Sequence, residues 1–248
     1  MKQFLILLFL IYGYAMMGQH TPHLPDDAIA PVQAGVFTLH FMKDNNPQGP
    51  TNTLKDGNIR NVIIQVFNDM SVLIGGTNQN GRVHIAISDA SFSAPIFSYN
   101  NDGENCHGTA YYIGTNRTNN SFHDNAIANT IRSGVDVYQN LPASLIPYGS
   151  YGRFHGSMHI YFPPSNYAGL SGFCQTSGWY TDFNSAALPT GYEKDLYSAV
   201  LSSLMHMLGI YSFSNQNGSS KMGTGNYTRY DNYLRTGTTK LFNLNTSS

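Results

Sequence analysis

The sequence predicts an α+β fold on three observations: an alternating apolar stretch at residues 35–41, a helical apolar periodicity at 59–74, and a second apolar helix closed by glycine at 192–209. In the first stretch, Phe37, Leu39 and Phe41 alternate with Thr38 and His40, the two-residue period of a strand with one buried face. In the second, Ile59, Val62, Ile63, Val66, Phe67, Met70, Leu73 and Ile74 recur at helical spacing. Thr53 or Asp56 can cap the start of that helix, and Gly75 and Gly76 can end it. Residues 82–88 and 109–113 are short β-branched or aromatic runs, and 155–162 alternates until Pro163 and Pro164 stop it, so all three read as further strands of one sheet. The long stretches between them are rich in Asn, Gly, Ser and Tyr and read as loops, as does 214–225; residues 227–234 read as a short closing helix. The expected architecture is a twisted mixed sheet packed against two long helices.

Compartment and partners follow from composition. Lys2 precedes the apolar run from Phe4 to Ile11, and the small residues Gly13, Ala15 and Gly18 follow. This is the pattern of a secretory signal peptide over residues 1–18, too short to cross a bilayer comfortably; an uncleaved membrane anchor is the competing reading. Residues 19–248 then form a single domain, secreted or periplasmic, with no membrane segment after signal cleavage. With 13 Lys and Arg against 14 Asp and Glu, and only 11% of residues charged, the chain has no field with which to gather nucleic acid. There are two cysteines, Cys106 and Cys174; neither has another at metal-ligand spacing, and an exported chain meets oxidising conditions, so a disulfide between them is expected.

The segment from Tyr192 to Gly209 carries the functional argument. Leu196, Val200, Leu204 and Leu208 fall on one helical face, Asp195 stands at the N-cap, and Gly209 supplies the left-handed turn at the C-terminus. A zinc protease helix needs two histidines four residues apart, so that one helical turn aims both imidazoles at one metal, and a glutamate after the first to act on bound water. In one register His206 takes the second histidine position and Gly209 the glycine three residues on. The run Met207-Leu208-Gly209-Ile210, the preceding Trp179, Tyr180 and Asp182, the start Asp195-Leu196-Tyr197-Ser198 and the downstream Tyr227-Thr228-Arg229-Tyr230-Asp231 resemble secreted bacterial metzincin-like zinc metalloproteases. The resemblance covers most of the chain after residue 18 and implies a metzincin-like fold.

The departures from that pattern bear on activity. Ser202 stands where the first histidine belongs, Ser203 where the glutamate belongs, and Ser212 where the third histidine of the long motif belongs. A serine hydroxyl is neutral near pH 7 and replaces neither an imidazole ligand nor a carboxylate base. The sequence therefore implies a fold retained without catalytic zinc, acting on an unidentified protein or peptide as a binding or structural protein. The alternative is an active zinc peptidase with unconventional ligands, drawn from His107, His123 or Asp231. His155 and His159 are four apart, but on a strand that spacing separates them by roughly 13 Å, too far for one metal. Serine catalysis by Ser202 or Ser203 with His206 is disfavoured, because no Gly-x-Ser-x-Gly elbow surrounds them.

Overall fold

The computed structural model describes residues 29–42, 54, 56–75, 82–90, 106–110, 122–142, 144, 146, 153–161, 179–182, 194–210, 212, 214, 217, 219 and 227–241. The fold is α+β. The expected first strand is β2 (Phe37–Phe41), and it is preceded by β1 (Val32–Ala34), with which it forms an antiparallel hairpin. The turn between them contains Gly35 at φ 60°, a left-handed conformation that glycine adopts without a Cβ penalty. From there the chain enters helix α1 (Gly57–Leu73), where the Asp56 side chain accepts from Asn58 N and Gly75 at φ 71° follows the helix end.

Two further strands, β3 (Val83–Ala90) and β6 (Gly156–Tyr161), lie parallel beside β2, and β4 (Cys106–Ala110) closes the sheet antiparallel to β6, giving the order β1-β2-β3-β6-β4. β4 begins upstream of the expected 109–113, because its register is set by pairing Cys106 with Ile160 rather than by its own β-branched residues. Helix α3 (Leu196–Met207) is the expected glycine-closed helix. Asp195 caps it through Ser198 N, and Ile210 N reaches back to Met205 O across Gly209 at φ 86°.

One core joins these elements. Phe37, Leu39 and Phe41 of β2, Val83, Ile85 and Ile87 of β3, and Met158 and Ile160 of β6 pack with Val62, Ile63, Val66, Phe67 and Met70 of α1 and Leu196, Val200, Leu204 and Met207 of α3. Both long helices therefore cover the same face of the sheet, as the alternation in β2 requires. They are also tied to each other by Tyr197 Oη, which donates to Asp69 Oδ2 at 2.8 Å; that hydrogen bond is the main reason the tyrosine's pKa is raised, with burial adding to it. The hairpin turn is tied to α1 by Val36 N, which donates to the buried Ser71 Oγ at 2.9 Å.

One helix overturns an expectation. Helix α2 (Ala126–Ser133) lies in a stretch read as loop from its Asn and Ser content. Asn125 and Gly134 are the reason it forms: the Asn125 side chain accepts from Ala128 N, and Gly134 takes φ 69° at the C-cap. The closing helix expected at 227–234 is shorter than predicted. The stretch opens with a short strand, β7 (Tyr227–Thr228), paired with β5 (Phe122–His123), and then forms a 3-10 turn (Tyr230–Tyr233).

Candidate functional site

On α3 the residues of the protease-like register are sorted by helical phase. Ser203 falls on the stripe of Leu196, Val200, Leu204 and Met207 and is buried at 3% exposure. Ser202 is exposed, and His206, one turn later, is half-buried. Positions 202 and 206 thus share the outer edge of the helix, while position 203 is turned into the core. Ser212 follows the Gly209 turn and is committed locally: its Oγ lies 2.8 Å from Ser214 Oγ and accepts from Ser214 N at 3.1 Å.

The remaining candidates do not gather around His206. In β6, Gly156, Met158 and Ile160 alternate with Ser157 and His159, so His155 and His159 belong to the face opposite the one that α3 covers. His159 Nδ1 lies 2.6 Å from Ser88 Oγ there. His107 stands in register across from His159 on β4, and His123 stands across from Thr228. Asp231 is fully buried, and its Oδ2 accepts from both Thr228 N and Thr228 Oγ1 at 2.8 Å, which locks the start of the 3-10 turn. Its Oδ1 has no hydrogen-bond partner among the described residues. A catalytic zinc needs three protein ligands converging on one point. Among the described residues no group of three His, Cys, Asp or Glu side chains is placed to hold a metal. Cys106 opens β4, and Cys174 lies outside the described residues.

Beyond the end of α3, a cavity of about 240 Å³ opens between Leu208, Gly209 and Ile210, the start of α2 and the 3-10 turn. Asp124 at its edge takes Arg229 Nε and Nη2 at 3.1 Å and also pairs with Arg132. Burial alone would raise the carboxyl of Asp124, but the hydrogen bonds from Arg229 and Arg132 outweigh it and hold the pKa below the usual range. Asn125 Nδ2 donates to Met207 O at 2.8 Å, so the cap of α2 also fastens the end of α3.

A second cluster, not read from the sequence, lies on the face of the sheet opposite the long helices. His40 Nε2 lies 2.9 Å from His84 Nδ1, His84 N donates to His155 Nδ1 at 3.0 Å, and His155 Nε2 lies 3.0 Å from Asp136 Oδ1. The signal was present as a histidine at alternate positions of three predicted strands. What the sequence could not supply was the order of those strands.

An α+β domain with a histidine on a core helix is the class these features define. No protein-family model, no curated protein and no solved structure matches the chain.

Proposed function

We propose that this is a metzincin-like metalloprotease-fold protein that has lost catalytic zinc and peptidase activity and acts outside the cytosol by binding a protein or peptide partner or as a structural protein. The observation that carries the reading is the chemistry of one helix. Asp195, the apolar stripe and the Gly209 turn keep the form of a protease-like helix, while hydroxyls stand at Ser202, Ser203 and Ser212. A twisted mixed sheet packed against two long helices is the architecture the resemblance implies, and the mixed sheet with its two long helices is consistent with that reading. Ser203, placed in the core, could not become a carboxylate without burying a charge, so this helix fits a structural role better than a catalytic one.

The test is metal content and peptide cleavage by the purified full chain, beside the variant Ser202→His with Ser212→His. Ser203 is kept in that variant so that no carboxylate enters the core. The expected result is a wild type without stoichiometric zinc or chelator-sensitive hydrolysis, and a variant that gains measurable zinc affinity. One tightly held zinc in the wild type, with hydrolysis lost on chelation, overturns the loss of activity. A folded double variant indifferent to zinc overturns the register.

A further inference from the structure

The face of the sheet away from the long helices is closed by the turn that follows α2. Tyr138, fully buried, lays its ring against the His155 ring at 5.0 Å between centroids. Asp136 Oδ1 accepts from Tyr138 N at 2.7 Å and faces His155 Nε2. Arg153 Nη1 donates to Gln139 O at 2.8 Å, and Val137 N donates to Thr130 Oγ1 at 3.3 Å.

The hydrogen bonds of this row dictate protonation states. His155 Nδ1 accepts the backbone N–H of His84, so it carries no proton; Nε2 must then carry one, which it donates to Asp136. An imidazolium has no acceptor nitrogen, so a proton on His155 removes the bond from His84 N to its ring, while the backbone bond from His155 N to His84 O stays in place. The contact between His40 and His84 needs one donor and one acceptor nitrogen and is lost when both rings are protonated. The rings are also close: His40 and His84 centroids are 5.2 Å apart and His84 and His155 6.1 Å apart, so each added charge repels the next. Among the described residues, Asp136 is the one carboxylate bonded to the row. Arg153 holds the turn's carbonyls, Arg82 approaches Gly134 at the start of the turn, and His159 stands further along β6 with Ser88 and Ser157.

We propose that His40, His84 and His155 with Asp136 form an acid-sensitive latch, which holds the turn at residues 134–141 against the sheet while the rings are neutral and releases it when they take up protons. This inference is independent of the reading of α3. Burial pushes His155 down to about 4 despite the opposing pull of Asp136, and burial followed by repulsion from His84 pushes His40 down to about 4. Burial also lowers His84, again against Asp136. Each of these folded values lies below the free imidazole value of 6.5, so the released state binds more protons. The latch is therefore intact above pH 6.5 and weakens as pH falls toward 4.

Hydrogen exchange of the full chain at pH 7.5 and 5.0, corrected for intrinsic rates, tests this. Protection of residues 134–141 should fall about 27-fold from His155 alone, while residues 59–73 of α1 stay protected. Equal protection of the turn at both pH values, or loss in step with α1, would overturn the latch. Asp136→Asn removes the anion that favours protonated His155 in the latched state, which widens the gap to the released value, so release should move to higher pH; an unmoved or lowered midpoint counts against the proposal. Should that variant not fold, nitrogen NMR of wild-type His155 decides: the neutral Nε2–H tautomer is expected at pH 7, and an imidazolium or the Nδ1–H tautomer there refutes it.

Discussion

Gly35→Ala should destabilise the protein out of proportion to one methyl group, for two separable reasons. The residue has φ 60°, and a Cβ there would overlap the Oγ and Cβ of Ser71 on α1. Holding a non-glycine residue in the left-handed region costs about 1–2 kcal/mol. Relieving the overlap displaces Ser71, and because Ser71 Oγ is the acceptor for Val36 N in a buried position, that costs a further ~1–3 kcal/mol for the amide left without a partner. The sum is about 2–5 kcal/mol, or ~4–20 °C in melting temperature for a domain of this size. Chemical and thermal denaturation of Gly35→Ala, Ser71→Gly and the double variant supplies the measurement. In Ser71→Gly both overlapping atoms are gone, so the double variant should cost less than the two single costs added, leaving mainly the left-handed strain on top of Ser71→Gly. Additive costs would show that the turn does not press on Ser71, and a Gly35→Ala protein as stable as wild type would refute the geometry of the hairpin outright.

Val66→Asp should lose on the order of 4 kcal/mol, since Val66 is fully buried between α1 and the sheet and the carboxylate would have no partner; an unchanged melting temperature would place that face in solvent. Asn125→Ala removes both the cap of α2 and the bond to Met207 O, and denaturation should register a loss of about 2 kcal/mol. Cys106 and Cys174 should pair in exported protein and contribute about 4 kcal/mol by the chain-entropy model. Two thiols open to alkylation in mass spectrometry would reject that pairing.

What the sequence disclosed was periodicity, and what it withheld was adjacency. The buried faces of α1 and β2 were legible because their apolar residues repeat at 3.6 and 2 residues, and both packed on one core as that repetition demands. The caps were legible for the same local reason: Asp56 and Asp195 bond amides two and three residues away. Helix α2 was missed because its signal is weak at eight residues, with only Ala126, Ile127 and Thr130 buried, and its Asn-rich surroundings resemble a turn. The histidine row was out of reach for a different reason. His40, His84 and His155 are brought together only by the parallel order β2-β3-β6, a consequence of crossovers that no local pattern encodes.

That same order constrains how any metal could be held near α3. The sheet lies between the helix and the face that carries His40, His84, His155 and His159, so none of the four shares a side with His206. Among the described residues, ligands to complement His206 would come from its own helix edge or from the chain beyond Gly209. On the edge, the residue one turn before it is Ser202, which is exposed, so an imidazole introduced there meets no packing obstacle. Beyond Gly209 stands Ser212, tied among the described residues to Ser214, whereas Asp231 is buried and has one oxygen bonded to Thr228. Recruiting Asp231 through Oδ1 would keep its two bonds to Thr228 but would draw an ion into a fully buried position, while recruiting half-buried position 212 would break one short local turn. Zinc affinity in a restored protein should therefore depend on Ser212→His and remain after Asp231→Asn; loss of affinity in Asp231→Asn with the fold intact would show that the downstream aspartate, not position 212, completes the site.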